Sequence, residues 1–173
     1  TGPLYDEPAV ISLFEAAAPS VVELIVHWAD GSTDTGAGFF IDSDGHVVTN
    51  SHVVDGATSV DVSLADGRIL EGRLLGSSPS DDLALIAVDA DQVPDIKPLK
   101  LADSSALKVG QFAMAIGSPF RMQNFLSVGV VAGIGDSPAL LRDRRTAPAL
   151  QRPIPNMVWA DVALLPGNSG GPL

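Results

Sequence analysis

Short runs rich in Val and Ile, broken every few residues by Gly, Pro, Asp or Ser, set the strongest limit on what this chain can become. Such runs are too short for long amphipathic helices, but they suit strands whose alternate side chains enter a core. The pattern predicts strands over 20–28, 35–42, 46–49 and 58–64, and again over 83–88, 112–117, 126–133 and 157–164. Asp44-Gly45 and Asp66-Gly67 fit tight hairpin turns, because Asp and Gly tolerate the positive φ such turns require. One helix is predicted, over 8–18, with Ala9, Ile11, Leu13, Phe14 and Ala17 on its apolar side and Pro19-Ser20 as its stop. Strands that follow one another without intervening helices argue for closed antiparallel barrels, which leave no sheet edge exposed. The stretch 91–98, with two prolines, reads as the connection between lobes, and 134–155, with four prolines and four arginines, reads as a long surface loop.

Composition narrows the function classes. The 173 residues suffice for one domain or two small packed lobes. Hydrophobic residues at 46% and charged ones at 18% are too apolar a mixture for a disordered tail, while polar residues interrupt every stretch before bilayer length. A formal net charge of -11 would repel a phosphate backbone, so nucleic acid is not an expected partner. With no Cys there can be no disulfide, thiol nucleophile or thiolate metal site. His27, His46 and His52 lack paired ligand spacing, and neither a metal nor another cofactor is expected. The chain opens at Thr1-Gly2-Pro3 without Met or a basic-then-apolar leader, so any signal peptide is expected to have been removed or left out.

The sharpest chemical signal is Gly167-Asn168-Ser169-Gly170-Gly171-Pro172. Glycines on both sides of a serine allow a tight turn that gathers backbone N–H groups beside the hydroxyl. The expected oxyanion hole comprises the amides of Gly167, Asn168 and Ser169, with Gly167 and Ser169 as the principal donors. A serine hydroxyl is a poor nucleophile near neutral pH and needs a base, which in turn needs a carboxylate to orient it. Thr49-Asn50-Ser51-His52 places a histidine where a strand runs into a turn, and Asp81-Asp82-Leu83-Ala84 places carboxylates just ahead of another strand. The formal Gly-x-Ser-x-Gly pattern also marks α/β-hydrolases, but there the acid and histidine follow the serine. Here His52 and Asp82 both precede Ser169, and the helices of that fold are missing.

Together these motifs, in this order, resemble the HtrA/DegP family of trypsin-like serine proteases, and nearly the whole chain takes part. Gly36-Ala37-Gly38-Phe39-Phe40 followed by Asp44-Gly45-His46-Val47-Val48-Thr49-Asn50 is similar to the family's first hairpin, and 107–119 with Ser127-Val128-Gly129-Val130-Val131 to the start of its second barrel. The resemblance implies an all-β fold of two packed antiparallel barrels with the active site between them. The corresponding divisions are 1–19 for an N-terminal segment with the short helix, 20–97 for the first barrel and 98–173 for a second barrel left incomplete after the nucleophile. It implies His52, Asp82 and Ser169 as catalytic triad, Asp82 rather than Asp81 because it directly precedes Leu-Ala, and a structural hydrogen-bonding role for Asp161. It further implies unfolded or misfolded protein substrates, a periplasmic or envelope location, a homotrimer for which Tyr5 and Phe14 are candidate contacts, Phe14 being equally a candidate core contact of the helix, and a PDZ domain or regulatory partner beyond this chain. Arg142, Arg144 and Arg145 fall in its regulatory loop. The further strands of the family's second barrel and its S1 pocket are not in this sequence, which is therefore expected to be part of a longer one. An alternative within the same resemblance is a chaperone-like module that binds unfolded chains with little cleavage.

Overall fold

Six strands of the first half close on themselves in the computed structural model, which describes residues 6–118, 124–136, 155–163 and 165–173. They are β1 (Val21–His27), β2 (Thr33–Phe40), β3 (His46–Thr49), β4 (Ser59–Ser63), β5 (Ile69–Ser78) and β6 (Leu83–Ala87), arranged around the barrel as β1-β2-β3-β6-β5-β4 with every pairing antiparallel. A closed barrel of this size is filled by its own inward side chains. Leu24, Phe40, Val47, Val62 and Ile86 are each fully buried there, and each such side chain stabilises the fold by about 1.5–3 kcal/mol through burial alone.

Turn chemistry sets the register of the hairpins. Asp42 organises the β2–β3 turn, its Oδ1 accepting from the N–H groups of Asp44 and His46 at 3.0 and 3.2 Å and its Oδ2 meeting His46 Nδ1 at 2.7 Å. Asp66 does similar work between β4 and β5, accepting from Arg68 N–H at 3.0 Å while Leu64 and Gly67 close the turn. The N-terminal helix α1 spans Glu7–Ala17, one residue earlier than predicted, because the Asp6 carboxylate caps it through Ala9 N–H.

Two elements escaped the sequence pattern. β5 was not among the predicted strands, since its Leu74-Leu75 pair and two glycines break the alternation; a bulge between Leu74 and Gly76 absorbs that break. A single-turn helix, α2 (Ser51–Val54), follows β3 where only a turn was expected. The stretch 91–98 does lie on the path out of the barrel, but it is docked rather than free. Val93 is buried, Ile96 packs on the core, Ser20 Oγ donates to the Lys97 carbonyl, and Leu99 N–H donates to the Phe40 carbonyl at 2.9 Å.

The second half contributes β7 (Phe112–Gly117), β8 (Phe125–Gly135) and β9 (Met157–Asp161), an antiparallel sheet in the order β7-β8-β9, three strands among the described residues. β8 runs to Gly135, two residues into the predicted 134–155 loop, of which 137–154 lie outside the described residues, and Asn156 N–H donates to Asp136 Oδ1 at 3.1 Å. Arg142, Arg144 and Arg145 lie outside the described residues, as does Tyr5. β1 and β2 are the barrel strands that meet β7. This second contact explains why Val21, Val22, Glu23 and Leu24 are all buried, where a strand with one wet face would alternate.

Candidate active site

Antiparallel pairing brings the histidine and the acid together. β3 and β6 are in register with Thr49 opposite Ala84, so residues just after Thr49 lie beside residues just before Ala84. Val53 and Val54 sink into the barrel and hold α2 down, which leaves His52 on its exposed side, 38% accessible, above the end of β6. Asp82 faces it. The His52 ring Nδ1 lies 2.8 and 2.9 Å from the two Asp82 oxygens, and His52 N–H donates to Oδ1 at 3.0 Å. Ser51 Oγ donates to the same oxygen at 3.1 Å, and Asn50 Nδ2 donates to the Asp82 carbonyl at 2.8 Å. Asp82 adopts φ 52, a left-handed conformation that costs a non-glycine residue about 1–2 kcal/mol. These hydrogen bonds offset that cost and fix the carboxylate. Asp81, by contrast, is exposed and accepts from Ser78 and Ser80.

Ser169 is presented by a turn wedged between the two halves. Ala37 N–H in β2 donates to the Ser169 carbonyl at 2.8 Å, Ile116 N–H in β7 donates to the Pro172 carbonyl at 3.2 Å, and Gly171 N–H closes the turn onto the Asn168 carbonyl at 3.0 Å. Gly170 takes φ 88, and a Cβ there would collide with the Ala37 carbonyl oxygen and Thr49 Oγ1. Thr49 Oγ1 itself donates to that carbonyl at 2.7 Å, so the strand that leads to His52 and the turn that carries Ser169 share one anchor. Ser169, Gly167 and His52 border a common pocket at the seam. Of the three amides expected at the oxyanion hole, that of Asn168 points back to the Leu165 carbonyl at 3.0 Å. The N–H groups of Gly167 and Ser169 make no hydrogen bond among the described residues.

A family model described as a trypsin-like peptidase domain matches residues 36–173. The chain belongs to the trypsin-like peptidase family. Within that family it is similar to a putative serine protease HhoB of Synechocystis sp., 34% identical over 99% of this chain and 38% of that protein. A probable periplasmic serine endoprotease, DegP-like, of Halomonas elongata is 44% identical over 80% of this chain and 26% of its own length. Among solved structures, an HtrA-type protease AlgW with tripeptide superposes with a TM-score of 0.80 at 28% identity, covering 94% of this chain and 49% of that one. The chain thus spans less than half the length of these relatives.

For a trypsin-like peptidase the electrostatics of the His–Asp pair matter most. The hydrogen bond to Asp82 raises the His52 pKa above the ordinary 6.5; burial opposes this and the carboxylate's charge adds to it. For Asp82, burial pushes the pKa up, but the hydrogen bonds from the His52 ring and backbone, the His52 charge and the Ser51 hydroxyl together hold it below the usual value. The pair therefore favours an ionised acid beside a histidine that readily accepts a proton. Ser51, Asn50 and Thr49 were not singled out in the sequence beyond forming the motif around His52. Their polar side chains in one run just before a histidine were the available signal. Asp161, given a hydrogen-bonding role by resemblance, is exposed at the end of β9 and its carboxylate makes no hydrogen bond among the described residues.

Proposed function

We propose that this chain is the catalytic domain of a serine endopeptidase that cuts unfolded or misfolded proteins by acyl transfer. The observation that carries this reading is the His52 ring held by Nδ1 on the doubly hydrogen-bonded Asp82 carboxylate, beside a pocket shared with Ser169. With Nδ1 donating to Asp82, the neutral ring keeps its lone pair on Nε2. Nε2 takes the proton from Ser169 Oγ as that oxygen attacks the peptide carbonyl, and later delivers it to the leaving amine. Asp82 keeps the tautomer and stabilises the imidazolium without itself being protonated. The amides of Gly167 and Ser169 receive the developing oxyanion, each donor contributing about 3–4 kcal/mol in a comparable protease. Water then hydrolyses the acyl-enzyme, with His52 again as base.

Substrate class, assembly and location follow the family in this reading. The substrates are unfolded chains, the location is the periplasm or cell envelope, as for the DegP-like relative described as periplasmic, and the assembly is a trimer through the N-terminal segment. Sedimentation of the full-length protein as a monomer would overturn the trimer. Digestion of casein with and without Ser169→Ala tests the chemistry. The substitution is expected to lower kcat by about 10⁴ to 10⁶ and to abolish labelling by a fluorophosphonate. Unchanged turnover removes Ser169 from the mechanism, and a wild type that suppresses aggregation while cutting nothing favours a binding module instead.

A further inference from the structure

We propose that Asp34 gives the cleft a preference for Lys or Arg on the leaving-group side of the cut bond, an inference that rests on the hydrolase reading above. β2 forms the seam between the barrel and the nucleophile turn. Besides the Ala37 to Ser169 hydrogen bond, a Cβ built on Gly36 would lie 2.5 Å from Val53 Cγ1 and 3.3 Å from the Ser169 carbonyl oxygen, so this face of the strand meets both. Side chains two apart share a face, which places Asp34 one step further along the same side. There it borders a pocket of about 180 Å³ together with Thr35, His52, Val53, Gly167 and Ser169.

Direction along the substrate follows from the proton. His52 must protonate the departing amine, so the pocket walled by His52 and Val53 receives the residues that leave with it. Apart from His52, Asp34 is the only ionisable side chain among the described residues on this pocket's wall. Asp34 Oδ1 accepts from its neighbour Thr35 N–H at 2.8 Å, and no ion pair among the described residues involves the carboxylate. A Lys or Arg entering here can lay its methylene stem along Val53 and set its charge on Asp34. The net charge of -11 works the same way at longer range, drawing basic segments toward the molecule.

The test uses the full-length protein and two internally quenched peptides that differ only in Lys against Gln at the first two positions after the cut. The wild type is expected to favour the Lys peptide in kcat/KM by roughly threefold to fivefold at low salt, falling toward parity at high salt, as for an exposed ion pair. Asp34→Asn brings the ratio near one, Asp34→Glu retains it, and Asp34→Lys inverts it. Because each ratio is read within one preparation, any loss of folded enzyme cancels. A ratio near one in the wild type, or the same ratio in wild type and Asp34→Asn, overturns the inference and leaves the hydrolase reading standing. A wild type that cuts neither peptide overturns both.

Discussion

Asp82 concentrates the physics of the site in one side chain. Its strained backbone would be a liability anywhere else, yet at the end of β6 it aims a carboxylate at three donors: the Ser51 hydroxyl, the His52 N–H and the His52 ring. The proposed mechanism needs His52 neutral, and its pKa is raised, so activity should be lost as pH falls through a value above 6.5. Asp82→Asn removes the charged hydrogen-bond acceptor that raises it and lets an amide N–H, a donor, face Nδ1, so the tautomer is no longer fixed. The acid limb of kcat/KM should then move to lower pH while kcat drops by about 10⁴, the loss for this change in a trypsin-type triad. A pH–rate profile of the two proteins checks both. An acid limb that stays where it is would mean that Asp82 does not set the His52 pKa.

At the scale of elements, the turn that carries Ser169 is held less by its own residues than by the strands it sits between. Its carbonyls at 169 and 172 are satisfied by β2 and β7, and Gly170 fits only because neither a Cβ nor an ordinary negative φ is asked of it. Gly170→Ala should therefore push the turn away from Ala37 and Thr49, lowering the rate of fluorophosphonate labelling by at least about 10²-fold, the scale of losses from small misplacements of reacting groups. Far-UV circular dichroism should change little, because the barrel strands do not depend on the turn. Labelling at the wild-type rate would show that the contact with β2 does not position Ser169.

For the whole molecule, stability and the proposed site meet in the six-stranded barrel, which carries both His52 and Asp82 and forms the wall against which Ser169 is placed. Phe40 is the largest fully buried side chain in that core, and its backbone carbonyl also receives the chain leaving the barrel at Leu99. Phe40→Ala should cost about 3–5 kcal/mol, a large part of what a domain of this size has. Thermal unfolding followed by circular dichroism should show a Tm lower by many degrees, and labelling of Ser169 should vanish over the same range. Labelling that survives the barrel's unfolding would separate the two halves.

Most of the strands, the N-terminal helix, the turns at Asp44-Gly45 and Asp66-Gly67 and the motifs around His52, Asp82 and Ser169 were legible in the sequence, because each rests on local pattern; β5 and α2 were not, since a bulge breaks the alternation of the one and the other is a single turn. What the chain could not disclose alone is how distant segments meet. That Thr49 stands opposite Ala84, that Ser51 reaches Asp82, and that Asp34 turns toward the Ser169 pocket all follow from strand register and barrel closure, in which a shift of one residue would turn every one of these side chains to the opposite face.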